Sequence, residues 1–303
     1  MTDFIGDIHG YADKLEALLV KMGYTKRNGI YSHPDRKVLF VGDYIDRGKQ
    51  IRETLEIVKA MVDSGNAIAL LGNHEYNALC YRKKNENDEY LREHSKKNKR
   101  QHKATLEQFQ NKEEEFNEYL EWFKSLPLYY ETEKFRAVHA CWDYANIDYL
   151  RKKLHNDRLT DELIVESVKL GSEFNDAIDQ TLKGKELKMP DGRSFYDKDG
   201  AKREYIRIKW WENPAEMTYQ SISVEKHDDL PDEAIDVNST KLKDYYKEDG
   251  KAVFFGHYWL KDKPFLYKNN ICCLDYSVAN KGYLAAYRFD GETKLITENF
   301  IYV

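Results

Sequence analysis

Along this chain, short apolar runs repeatedly end in a small cluster of Gly, Asp, Asn or His. Phe4-Ile5 stands before Gly6-Asp7, Val38-Leu39-Phe40-Val41 before Gly42-Asp43, and Ile68-Ala69-Leu70-Leu71 before Gly72-Asn73. Later, Phe135 to Val138 precedes His139, and Val253-Phe254-Phe255-Gly256 precedes His257. Runs of this length closed by a polar or glycine residue predict buried strands. The residue after each run then sits at a strand's C-terminal end, the edge at which α/β sheets carry their chemistry. Between the runs the spacing turns helical: Leu15, Leu18 and Leu19 share one face, as do Leu55, Ile57, Val58 and Met61. Strand, loop, helix, strand is the order of an α/β protein.

Two longer segments interrupt that order. From Asn73 to Leu126 there is neither Gly nor Pro, and Leu106, Phe109, Phe116, Leu120 and Phe123 fall near helical spacing, which predicts a charged helical insertion at about 80–120. Its basic stretch Lys96 to Arg100 is expected to be a solvated face. A second insertion, about 144–250, opens with amphipathic helix in which Phe174, Ala177, Ile178 and Leu182 align. Asp191-Gly192 and Asp199-Gly200 then flank a hairpin or paired turns, and Tyr205-Ile206-Arg207-Ile208 alternates like a strand. From Lys226 to Gly250 the polar, acid-rich composition predicts surface loop with room for one helix. With no repeat and no low-complexity linker, residues 1–303 are expected to form a single domain carrying these two insertions.

Composition narrows the function classes. Hydrophobic residues make up 41% and charged residues 33% of the 303, which fits a globular chain with a charged surface. The formal net charge of -5 supplies no uniform positive field, so general nucleic-acid binding is disfavoured. No apolar run is long enough to span a bilayer, and Met1 to Asp7 lacks the basic and apolar regions of a secretion signal, so a cytoplasmic location and no membrane partner are expected. Cys80, Cys141, Cys272 and Cys273 lack CxxC spacing, and they are expected to be reduced and buried.

The chemistry lies in the polar clusters. Gly6-Asp7-Ile8-His9-Gly10, Gly42-Asp43-Tyr44-Ile45-Asp46-Arg47-Gly48 and Gly72-Asn73-His74-Glu75 resemble the GDxHG, GDxxDRG and GNHE motifs of calcineurin-like metallophosphoesterases, in their phosphoprotein phosphatase branch. Each motif alone is weak; three in order are specific. The likeness runs on through Trp122 to Pro127 and Val138-His139-Ala140, then Phe255-Gly256-His257, and closes with Leu274 to Ser277 and Gly282 to Ala286, which resemble bacterial members. The two insertions match nothing in the family. After His139, Ala140-Cys141-Trp142 replaces the glycines of eukaryotic relatives, and their Ser-Ala-Pro-Asn-Tyr segment is only echoed by Ser277 to Asn280.

The resemblance implies the family's α/β fold, two mixed β-sheets sandwiched between helices, and a two-metal phosphoesterase. It implies Asp7, His9 and Asp43 around one divalent ion and Asp43, Asn73, His139 and His257 around the other. Two ions about 3.5 to 4 Å apart need one carboxylate able to bridge them, for which Asp43 is the natural choice. Mixed carboxylate, amide and imidazole donors suit Mn first, with Fe or Zn as alternatives. The family's chemistry is attack on phosphorus by a metal-bound hydroxide, with an Asp46–His74 pair protonating the leaving oxygen and Arg47 gripping phosphate oxygens. A second phosphate arginine is expected between the two late histidines, and Arg203 and Arg207 are the candidates. Glu75 and Asp275 are expected to support structure, and Trp210 and Trp211 to pack.

Three functions follow as expectations. The first is hydrolysis of phosphomonoesters, including phosphorylated Ser or Thr of proteins. The second is cleavage of dinucleoside polyphosphates such as diadenosine tetraphosphate, and the third a catalytically silent binding module. A basic pocket for several phosphates points to a nucleotide partner and an open groove to a phosphoprotein, with the 144–250 insertion expected to decide.

Overall fold

The computed structural model describes residues 1–196, 202–225, 227, 229–238, 240, 242 and 244–303. All five apolar runs form strands. Thr2–Ile5, Lys37–Phe40 and Ala67–Ala69 lie parallel in one sheet. On its far side Thr2–Ile5 pairs antiparallel with Tyr283–Phe289, which itself pairs with Asp275–Tyr276 and Phe300–Tyr302. In a second sheet Ile271–Cys273, Ala252–Phe255 and Phe135–Val138 run parallel, and Tyr129–Glu131 closes the edge antiparallel. The α/β class and the two mixed sheets are thus as expected.

The sheets meet face to face through aromatic rings. Phe4 of the first stacks on Phe254 of the second, with centroids 3.6 Å apart and planes 7° from parallel. Phe135 and Phe289 meet this pair edge-on. The edge contacts add to the area that these large rings remove from water. Helices Ala12–Lys21 and Ile51–Asp63 bury the faces the spacing predicts, Leu15, Leu18 and Leu19 on one and Leu55, Ile57, Val58 and Met61 on the other.

Register positions the chemistry. Ile5 pairs with Phe40 and Phe40 with Ala69, so three neighbouring parallel strands end level with one another. The clusters beginning at Gly6, Gly42 and Gly72 therefore emerge side by side. In the second sheet Phe254 pairs with Ala137, which brings His139 and His257 to the corresponding edge. The Gly256 N–H donates to the His139 carbonyl at 2.8 Å, and the two edges are joined directly where the His257 N–H donates to Asp7 Oδ2 at 3.0 Å.

The insertions depart from expectation in detail. The 73–126 segment is not one long helix but three: Asn73–Arg82, Lys96–Gln108 and Glu113–Lys124. The first ends at Arg82 with Lys83 extended, and beyond it the Asn85 side-chain oxygen accepts from the Asn87 and Glu89 N–H groups, a local alternative to helical bonding. Phe109, Phe116, Leu120 and Phe123 are buried as predicted, and Lys96, Lys97, Lys99 and Arg100 are exposed. In the second insertion helix Glu173–Lys183 buries Phe174, Ala177, Ile178 and Leu182, also as predicted.

The Lys226 to Gly250 stretch is more than surface loop. Leu230, Ile235 and Leu242 join Leu187, Phe195, Ile206 and Ile222 in a second, smaller core, and no helix occurs among its described residues. Tyr205–Arg207 is a strand paired with Glu186–Lys188, and Phe195–Tyr196 pairs with Lys202–Arg203 as a hairpin whose Asp199-Gly200 lies outside the described residues. Trp210 and Trp211 are packed in the main core. All four cysteines are free and buried. Among the described residues no helix is long and apolar enough to cross a membrane.

The intersheet stack gives a stability test. Phe254→Ala is expected to cost about 3 to 5 kcal/mol in urea unfolding, from lost burial plus the cavity left opposite Phe4. A loss below about 1 kcal/mol would show that the two sheets do not depend on this contact.

Candidate functional site

The strand ends carry the site on strained backbone. His9, Asp43, Asp46, Arg47, His257 and Trp259 all have positive φ, between 51° and 74°, although none is glycine. Such conformations cost roughly 1 to 3 kcal/mol each and persist where surroundings impose them. The glycines beside them are there for space. A Cβ on Gly256 would lie 1.9 Å from Asp7 Oδ1, and one on Gly42 would lie 2.7 Å from Gly72 Cα.

Around this edge the structure brings together Asp7, His9, Asp43, Asp46, Asn73, His74, His139 and His257. Asp43 belongs to two triplets of donor atoms that lie within 4.8 Å of one another, His9/Asp43/His74 and Asp43/His139/His257. His9 Nε2 stands 3.7 Å, and His139 Nε2 3.5 Å, from opposite carboxylate oxygens of Asp43. Asn73 Oδ1 is 2.9 Å from His139 Nε2 and 2.6 Å from His257 Nδ1. Asp7 Oδ2 accepts the His257 N–H at 3.0 Å, tying residues 250 positions apart.

The donor set fits divalent cations. His9 Nδ1 donates to the Ile45 carbonyl and His139 Nδ1 to the Val41 carbonyl, which leaves each neutral ring with a bare Nε2 facing inward. His139 Nε2 thereby confronts another acceptor, Asn73 Oδ1, and such a meeting calls for a cation or an added proton between them. Asp7 Oδ1, His9 Nε2 and His257 Nε2 are buried without a hydrogen-bond partner. Burial, with Asp275 and Asp43 close by, pushes Asp7 well above the usual carboxylate range. Burial beside His74 holds His9 down at about 4, so it stays neutral and free to ligate. Asp7, His9, Asp43, Asn73, His139 and His257 lie close enough together that they could hold divalent ions.

Glu75 does not compete for this role. Its Oε1 accepts from the Tyr44 and Ile45 N–H groups and its Oε2 from those of Asp43 and Gly72, so it shapes the Asp43 turn. Asp275 likewise accepts from the Trp259 and Ser277 N–H groups and orders the loop after His257.

The sequence contained no sign of three contributors. His102 Nδ1 lies 2.8 Å, and Thr105 Oγ1 2.5 Å, from Asp46 Oδ1, while Asp46 Oδ2 lies 2.5 Å from His74 Nδ1. Arg92 donates to Asn77 and Gln101 and lines a small cavity with Asp46, Asn73 and His74. All three come from the 80–120 insertion, whose apolar spacing shows which side packs but not which polar side chains face the Asp46 turn. Trp259, under the Arg47 guanidinium at 5.3 Å, was also missed.

The two late arginines part ways. Arg203 is exposed on the Lys202–Arg203 strand. Arg207 is half-buried with Nε unpartnered, and its charge helps depress His257. Both line a cavity of about 160 Å³ with Glu186 and His227, which includes none of the cluster around Asp43.

An α/β protein whose strand ends gather carboxylate, amide and imidazole donors around one shared aspartate has the make-up of a metallohydrolase. The chain belongs to the calcineurin-like phosphoesterase family, whose profile matches residues 2–258. Among curated proteins it is 45% identical over 73 residues to the Bis(5'-nucleosyl)-tetraphosphatase PrpE [asymmetrical] of Halalkalibacterium halodurans, a stretch that covers 24% of this chain and 30% of that protein. The chain thus spans less than a third of the length of that relative. Among solved structures, a protein serine/threonine phosphatase from Saccharomyces cerevisiae is 13% identical with a TM-score of 0.48, over 100% of this chain and 78% of that one. A cold-active protein-tyrosine phosphatase of a Shewanella species is 15% identical with a TM-score of 0.45, over 95% and 75%.

Metal content tests the donor set. Protein stripped with chelator and resupplied with Mn²⁺ at about 100 times its dissociation constant is expected to gain about 2.7 kcal/mol, roughly 4 °C in thermal midpoint. Asp43→Asn is expected to abolish that gain and His139→Ala to halve the bound metal measured by mass spectrometry. Wild-type metal content in Asp43→Asn would rule out the shared-aspartate arrangement.

Proposed function

We propose that the chain is a metal-dependent phosphoesterase that hydrolyses phosphate monoesters, phosphorylated Ser or Thr of proteins among them, in the cytoplasm. The observation that carries this reading is the membership of Asp43 in both donor triplets, next to a His74–Asp46 pair and to Arg47, which makes no ion pair among the described residues. Asp7, His9 and Asp43 would hold one ion, and Asp43, Asn73, His139 and His257 the other, with Mn first and Fe or Zn as alternatives. When bound, the ions supply Lewis acidity and bring the pKa of coordinated water toward neutrality.

The protein's own residues do the remainder. Burial opposes a charge on His74, but Asp43 and Asp46 outweigh it and raise the imidazole above its ordinary value. Asp46 stays ionised because hydrogen bonds from His102 and His74 overcome its burial and hold it far below the usual carboxylate range. That raised affinity for a proton equips His74 to offer one to the leaving oxygen. Arg47 presents a planar fork at the mouth of the site for two phosphate oxygens. Of the two candidates for a second phosphate contact, the burial of Arg207 and its influence on His257 favour it over Arg203.

A second reading, cleavage of dinucleoside polyphosphates, is favoured by the stretch shared with the PrpE relative and by a basic cavity beside Arg47. A silent binding module is disfavoured because the ligand set and the His74–Asp46 pair are all in place.

Turnover of p-nitrophenyl phosphate with Mn²⁺ tests the proposal. His74→Asn is expected to lower kcat about 10²- to 10⁴-fold. Because the protonated imidazole is the active form and its pKa is raised, wild-type activity should fall on the alkaline side at a pH above the ordinary histidine value of about 6.5. Asp46→Asn removes one of the raising charges and should move that limb to lower pH. Undiminished turnover in His74→Asn would refute the acid role.

A further inference from the structure

Trp259 adopts a backbone conformation that its residue type disfavours. Its φ is 51°, in the left-handed region where a bulky side chain is strained, and none of the three strand-end motifs calls for it. Strain of this kind persists where the surroundings impose it, and it gathers at sites of function. The imposing contacts are explicit. The Trp259 N–H donates to Asp275 Oδ2 at 2.7 Å, the Leu260 N–H to the Asp275 carbonyl at 3.0 Å, and the Ser277 hydroxyl to the Leu260 carbonyl at 3.0 Å. Two residues earlier His257, also at positive φ, donates its N–H to Asp7 Oδ2 at 3.0 Å. The loop is therefore pinned to the first sheet on both sides of the indole.

Core packing does not account for this ring. Trp122, Trp142, Trp210 and Trp211 are buried in the main core, whereas Trp259 is only partly buried and is not part of it. It meets two side chains of the site instead. The Trp259 and His9 ring centroids are 5.7 Å apart, and the Arg47 guanidinium carbon stands 5.3 Å from the Trp259 centroid. Arg47 is exposed and makes no ion pair among the described residues, so its long stem leaves the head free to swing unless something else holds it. A carboxylate would hold it but would also neutralise it and compete with a phosphate. An aromatic face attracts the guanidinium through its quadrupole and leaves the in-plane N–H donors open.

We propose that Trp259 is a positioning residue that holds the Arg47 guanidinium ready for the substrate phosphate, an inference that rests on the phosphoesterase reading above. Arg47 stands on the turn that follows Lys37–Phe40 of the first sheet, where Asp46 and Arg47 have φ of 67° and 66°. Trp259 comes from the loop that follows Ala252–Phe255 of the second. The grip on phosphate is thus assembled from both sheets, like the cluster around Asp43. A freely swinging arginine loses its range of positions at each binding event, while one already seated on a ring loses less. The ring therefore acts on affinity for the phosphate rather than on the chemical step.

The experiment compares wild type, Trp259→Leu, Trp259→Phe, Arg47→Ala and the Arg47→Ala/Trp259→Leu double variant, all full-length and supplied with Mn²⁺. Trp259→Leu is expected to raise KM for p-nitrophenyl phosphate and to weaken calorimetric binding of inorganic phosphate about fivefold each, with kcat within about twofold of wild type. Trp259→Phe keeps a ring face and should recover most of both losses. In the Arg47→Ala background the leucine substitution should add nothing, because the ring then has no cation to hold. A loss in kcat that matches the loss in kcat/KM, an additive loss in the double variant, or unchanged phosphate affinity in Trp259→Leu or Arg47→Ala overturns the proposal. If Trp259→Leu does not fold, trifluorotryptophan placed at position 259 alone keeps the shape while draining the ring face of negative potential. A fall in phosphate affinity then supports the positioning role, and unchanged affinity rejects it. If wild type turns over no phosphoester, the phosphoesterase reading fails, while phosphate binding that Trp259→Leu weakens only when Arg47 is present still supports the positioning role.

Discussion

Asp43 is a carboxylate buried among other acids and imidazoles, and the surrounding architecture answers to it. A lone buried charge of this kind is costly, so every neighbour either neutralises it or holds it in place. His9, His74 and His139 approach its oxygens, and the His74 N–H donates to Oδ1 at 3.0 Å. Beneath it Glu75 gathers four backbone N–H groups and stiffens the turn that lifts Asp43 into left-handed conformation. Two sheets are needed because no single sheet edge offers donors on all sides: the first supplies the acids and Asn73, the second His139 and His257.

Much of this was visible in the sequence because the residues are local to motifs. A strand followed by Gly-Asp or Gly-Asn fixes both where the side chain emerges and why a glycine precedes it, as Gly42 and Gly256 show. Glu75 and Asp275 could be given supporting roles for the same reason. The helical faces around Leu15 and Leu55 followed from periodicity alone.

What escaped notice depends on contacts between distant segments. His102 and Thr105 meet Asp46 across 56 and 59 residues, and no spacing rule links a helix in an insertion to a turn in the first third of the chain. Composition favoured a continued helix past Arg82, but there the Asn85 side chain bonds to the backbone in a local turn. Leu230, Ile235 and Leu242 are too irregularly spaced to show an apolar face, yet folding collects them into a second core. Between Arg203 and Arg207, neighbours in the chain, burial made a distinction that residue type does not.

The strand Thr2–Ile5 has one neighbour at Lys37–Phe40 and the other at Tyr283–Phe289. During synthesis at about 5 to 20 residues per second, one flank of that strand stays open for roughly 15 to 60 s before its second partner leaves the ribosome. An unpaired apolar strand edge is a template for wrong partners. A growing chain of this topology therefore carries an open apolar edge until Tyr283–Phe289 arrives, and the same closing strand then fixes the edge from which the Asp7 cluster emerges.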